Sequence, residues 1–70
     1  MRIVALKAKN PKGKSKINLW GDTWIVRNEG LFDGEPSLLL ESMPNEKFKS
    51  DLRWVWIDND PDFLLEIIND

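Results

Sequence analysis

The 70-residue sequence contains no cysteine, no histidine and no tyrosine. Without cysteine there is neither a disulfide framework nor a thiolate metal site to staple so short a chain, and the same absence agrees with a reducing compartment. The commonest general base and the strongest nucleophile are both missing. Ser15, Ser37, Ser42 and Ser50 have no visible activating partner. "PKGKSK" contains Gly-Lys-Ser but lacks the upstream glycine and the spacing that make a phosphate-cradling loop. This inventory argues against an enzyme and gives no reason to expect a cofactor. No apolar run approaches the ~20 residues that span a bilayer, and "MRIVALKAKN" has no small-residue cleavage site. The expectation is a cytoplasmic protein that does not engage a membrane.

What is present must supply stability by packing. Seventy residues make a single small domain, 1–70, near the lower limit at which a core alone holds a fold. Four tryptophans and three phenylalanines suit that need, because aromatic side chains bury the most area per residue. Charge is unevenly placed. Residues 1–20 carry Arg2, Lys7, Lys9, Lys12, Lys14 and Lys16 with no acid, whereas residues 21–70 set four bases against twelve acids. Such asymmetry marks either an electrostatic binding face or two edges of one molecule that complement each other.

Along the chain, apolar alternation and turn residues predict short strands. "RIVALKA" (Arg2–Ala8) places Val4, Leu6 and Ala8 on one face, and "KNPKGK" (Lys9–Lys14) reads as a loop. "SKINLW" (Ser15–Trp20) and "TWIVR" (Thr23–Arg27), separated by Gly21-Asp22, read as a hairpin over Ile17–Arg27. "NEGLFDGEP" (Asn28–Pro36) reads as a longer loop and "SLLLES" (Ser37–Ser42) as a fourth strand. "MPNEKFKSD" (Met43–Asp51) reads as a polar, mobile connection, and "LRWVWI" (Leu52–Ile57) as a fifth strand. In the tail, Asp60 before Pro61 matches an N-cap followed by proline at the first helical position. Phe63, Leu64, Ile67 and Ile68 then recur at helical spacing, although a brief closing strand fits residues 61–69 as well. The resulting fold class is mainly β: a five-stranded, partly open barrel with a short C-terminal helical turn.

"GDTWIV", "PSLLLES" and "RWVWIDNDPDF" together resemble the small SH3-like β-barrels of the Tudor, KOW and integrase C-terminal type. That resemblance implies the barrel fold and a binding role. It implies no methyl-lysine cage, which normally includes tyrosine. The "RWV…NDP.F" ending is also similar to that of short uncharacterised phage and prophage proteins, a likeness that implies no activity.

Three groups of residues could carry function. Asp58, Asp60, Asp62 and Glu66 occupy the first, third, fifth and ninth places of a calcium loop. However, Phe63 stands at the glycine place and Asn69 at the final glutamate place, so capping and solvated charge explain the acids better and no metal is expected. Lys7, Lys9, Lys12, Lys14 and Lys16 would gather at one hairpin tip, where phosphates bind without sequence preference. Trp20 beside Lys16 could stack on an unpaired base, and Arg27 and Arg53 could extend the patch. A solvated lysine edge that resists aggregation explains the same residues. Finally, Trp54 and Trp56 share one strand face, and Val55 and Ile57 share the other. If Val55 and Ile57 point inward, the two tryptophans lie outside near Arg53 as an apolar patch suited to a partner; if the tryptophans point inward, no patch exists. The expected function is a non-enzymatic macromolecule-binding module. A protein partner comes first, engaged by Arg53, Trp54 and Trp56 in the manner of a small inhibitor or regulator of phage type. The alternative is a nucleic-acid-binding barrel that uses the lysine segment and Trp20.

Overall fold

The computed structural model describes residues 2–44 and 50–69. Five strands, β1 (Ile3–Ala8), β2 (Thr23–Phe32), β3 (Glu35–Ser42), β4 (Leu52–Trp56) and β5 (Phe63–Asn69), accompany one helix, α1 (Pro11–Trp20), between β1 and β2. The strands form one antiparallel sheet in the order β4-β3-β2-β1-β5. The last strand therefore returns to the edge of the first. The outer strands β4 and β5 do not pair, yet the Arg53 guanidinium of β4 lies over the Phe63 ring of β5 at 5.6 Å. The sheet curls until its edges approach and stops short of closure, which gives a mainly β, partly open barrel.

The core lies on the concave face. Val4, Leu6, Trp24, Leu38, Leu40, Val55 and Phe63 are buried there, with Ile17, Trp20, Val26 and Leu65 packed against them. Each strand contributes alternate residues, as a pleated sheet with one covered face requires. Trp24 is fully buried, and its indole N–H donates to the Gly21 carbonyl at 3.0 Å, so the polar tip is not left unpaired.

The expected strand at Ser15–Trp20, and with it the Ile17–Arg27 hairpin, is instead the second half of α1. The helix has a strong start. The Asn10 side chain accepts a hydrogen bond from the Gly13 N–H at 2.8 Å, and Pro11 takes the first turn, where its missing N–H costs nothing. At the far end Gly21, at φ 89°, donates its N–H to the Ile17 carbonyl. Ile17 and Trp20, three apart, then meet the core from one helix face. Local capping outweighed the apparent two-residue alternation.

The expected loop Asn28–Pro36 shrinks to a two-residue turn. Asp33 and Gly34 both have positive φ, 53° and 78°, the combination that matches the twist of a tight hairpin. β2 therefore runs on to Phe32, with a bulge at Arg27 where the register with β3 shifts.

Of the two readings of the tail, the helical turn is corrected and the closing strand is found: Phe63–Asn69 is a strand along β1. Asp60 does not cap a helix. Its carboxylate accepts from the backbone N–H groups of Trp56, Asp62 and Phe63 at 3.1, 2.9 and 3.2 Å, and Asn59 takes φ 61°. These bonds turn the chain so that β5 meets the open edge of β1. The expectation for Met43–Asp51 falls largely on residues 45–49, outside the described residues.

Candidate functional site

The tryptophan register follows from β4. Val55 is 1% exposed and pairs with Leu38 in the core. Trp54 and Trp56 therefore project from the convex face, both partly exposed. Ile57, on the inward parity, lies beyond the end of the core and is 41% exposed. Across β3, Trp54 sits opposite Leu39 and Trp56 opposite Ser37. The extended β2 adds Phe32, whose ring stacks on Trp54 at 6.3 Å between centroids with planes 7° apart. The Trp56 indole N–H donates to the Phe32 carbonyl at 3.1 Å. Gly30 lies beneath the Trp54 ring, where a Cβ would make an ordinary contact at 3.7 Å.

These three rings make a ledge along the convex face of β2, β3 and β4. Leu52 (59% exposed) extends it on β4. An ion pair bounds it: the Arg27 Nε–H donates to Glu41 at 2.6 Å, and the Ser50 hydroxyl donates to the other carboxylate oxygen at 2.9 Å. These contacts hold the Glu41 carboxyl below its ordinary value of 4.5, the Arg27 bond first and Ser50 second, against a smaller opposing effect of burial.

The β4 edge beside the ledge also offers backbone groups. Ser42 N–H bonds to the Asp51 carbonyl and Ile57 N–H to the Pro36 carbonyl. By antiparallel alternation, Arg53 and Val55 turn their peptide groups to β3, and Leu52 and Trp54 turn theirs to the outer edge. Trp56 N–H is taken by Asp60. On the other face of the same hairpin, Glu29, Leu31, Pro36 and Ile57 line an open depression of about 280 Å³.

The structure brings together two of the three residues expected at a partner site. Arg53 lies on the opposite face from Trp54 and Trp56, paired with Asp51 at 3.2 Å and held over Phe63. Phe32 was missed because its segment reads as loop; the Asp33-Gly34 pair flanked by strand-forming residues was the available signal.

The lysines do not gather at a hairpin tip. Lys7 is on β1, Lys9 precedes α1, and Lys12, Lys14 and Lys16 lie on the helix. At helical spacing Lys12 and Lys16 share a side and Lys14 faces away from them. Lys9 donates to the Asp60 carbonyl at 2.9 Å, and Lys12 stands 4.0 Å from the Asp62 carboxylate. The acidic stretch 58–62 thus docks the start of the helix, and Asn10 adds a 2.9 Å bond to Asp62. Trp20 ends the helix partly buried against the core.

Among the described residues no group of three or more acidic, histidine or cysteine side chains could hold a metal ion. No described helix is long and apolar enough to cross a membrane. Compared with known families, curated proteins and solved structures, the chain gives no significant match.

Proposed function

We propose that the chain is a non-enzymatic protein-interaction module of SH3-like type that docks its partner on the convex aromatic ledge. The observation that carries this reading is the outward register of Trp54 and Trp56, held in one unit with Phe32. Large aromatic rings that are already ordered lose little conformational freedom when a partner covers them, which is why such residues dominate binding energy at interfaces. The open peptide groups of Leu52 and Trp54 suit an extended partner segment, which would add to β4 while its alternate side chains meet the rings. Arg27 and Arg53 are occupied by Glu41 and Asp51, and the acids Asp33 and Glu35 at the turn favour a partner segment of opposite charge.

The test is capture of a defined partner from a lysate of the source cells by the wild-type chain, repeated with Trp54→Ala and with Phe32→Ser. Loss of capture with an unchanged circular dichroism spectrum supports the ledge as the docking surface. If the variants capture the same partner as well as wild type, or simply unfold, the rings are structural and the proposal fails.

A further inference from the structure

The lysines of α1 form a charged surface that the ledge leaves unused. At about 100° per residue, Lys12 and Lys16 stand on one flank of the helix and Lys14 on the other, roughly 160° around the axis. The arc between the flanks carries Pro11, Ser15, Asn18 and Leu19, all exposed. The opposite arc carries Gly13, Ile17 and Trp20, which face the core. No acid interrupts residues 1–20. The acids that meet the two ends of the helix are already committed. The Asp60 carboxylate accepts from three backbone N–H groups, Asp62 accepts from Asn10, and Asp22 accepts from the Thr23 hydroxyl. Lys14 and Lys16 have no ion-pair partner among the described residues, and Lys12, 4.0 Å from Asp62, keeps its side chain 78% exposed. Three ammonium groups are thus held on two sides of an uncharged crest.

We propose that α1 lies in the major groove of duplex DNA, with Lys12 and Lys16 on the phosphates of one strand and Lys14 on those of the other. Charge complementarity selects a polyanion, and the shape of the helix surface selects this one. A helix about 10–12 Å across fits a groove about 12 Å wide, and lysines on both flanks match its two phosphate walls. The crest can read base edges. The Asn18 amide suits an adenine, and the exposed Leu19 suits a thymine methyl group. The Ser15 hydroxyl donates to the Pro11 carbonyl at 3.1 Å, and its oxygen still accepts. An anionic membrane is a poor match, because Ile17 and Trp20 pack against the core and are not at the crest, where an interfacial helix needs its large apolar side chains. α1 covers the concave side of the sheet and the ledge is convex, so the DNA and the ledge partner do not compete.

Fluorescence anisotropy of a labelled mixed-sequence DNA duplex, titrated with the full chain at several salt concentrations, tests the docking. Three phosphate contacts at about −0.9 each imply a loss of affinity of roughly forty-fold for a fourfold rise in salt. Lys14→Gln and Lys16→Gln are each expected to reduce the slope of log affinity against log salt by about one, since both flanks are engaged. Lys7 alternates with the buried Val4 and Leu6, so it points away from α1, and Lys7→Gln is expected to leave the slope unchanged. Duplex RNA of the same sequence is expected to bind roughly tenfold more weakly, because its deep, narrow major groove does not admit a helix. Each substitution replaces a surface side chain, and an unchanged circular dichroism spectrum verifies the fold. A wild type that leaves the duplex unbound at low salt, or that binds RNA as tightly as DNA, overturns the proposal. So does a slope that Lys14→Gln leaves unchanged or that Lys7→Gln reduces equally. None of these measurements involves Trp54 or Phe32, so the ledge and the helix surface stand or fall separately.

Discussion

Gly13 shows how far a single residue can decide this fold. It is buried inside α1, and a Cβ built there would fall 2.4 Å from the Asp62 carbonyl oxygen and 3.4 Å from the Phe63 ring. That carbonyl is held by the Lys9 N–H at 2.8 Å, so it cannot yield without breaking a bond between β1 and the start of β5. Alanine normally improves a helix by about 1 kcal/mol over glycine. Here the clash is with backbone, and overpacking of that kind costs about 1–3 kcal/mol before the lost bond is counted. Gly13→Ala is therefore expected to lower the urea midpoint. A variant as stable as wild type, or more so, would show that helix and loop are not in contact. The same glycine explains part of what the sequence concealed. In "KNPKGK" it reads as a turn residue, whereas its work is to let α1 approach the acidic stretch.

At the scale of elements, strand propensity and alternation identified β1, the first half of β2, most of β3 and β4. They failed where local alternation and local capping disagreed. Within Ser15–Trp20 the stretch Lys16–Leu19 alternates, but Asn10, Pro11 and Gly21 bracket a helix, and a helix needs only Ile17 and Trp20 on its buried side. The tail was open between two readings for a different reason. Asp60-Pro61 resembles a helix start and the apolar run fits either element; the unpaired edge of β1 decides for the closing strand over residues 63–69. The β2–β3 pair offers a test of its own. The Glu41 pKa is lowered chiefly by Arg27, so the folded form holds the carboxylate charged to lower pH than the unfolded chain does. The stability this contributes is present above the ordinary value of 4.5 and is lost as pH falls through the folded value. A carbon-detected titration is expected to place the Glu41 midpoint below 4.5, with Arg27→Ala moving it back up. A midpoint that ignores Arg27 would remove the Arg27–Glu41 ion pair from the boundary of the ledge.

For the whole molecule, the curl of the sheet separates two jobs between two faces. The concave face takes Trp24, Val55 and Phe63 into a core that α1 covers. The convex face keeps Trp54, Trp56 and Phe32. β4 buries one face, and the pairing of Val55 with Leu38 shows which one is covered. The composition made aromatic packing necessary, but the choice between the two tryptophan registers needed the strand order. The charge asymmetry resolves similarly: part of the basic N-terminal third meets the acidic 58–62 stretch through Lys9, Lys12 and Asn10. Every functional claim for the ledge depends on the outward register, which can be measured in solution without knowing the partner. A soluble paramagnetic agent broadens the signals of protons it can approach. Ring protons of Trp54, Trp56 and Phe32 are expected to broaden strongly, while those of Trp24 and the Val55 methyl groups are spared. Sharp Trp54 and Trp56 signals beside broadened Val55 methyls would contradict the account.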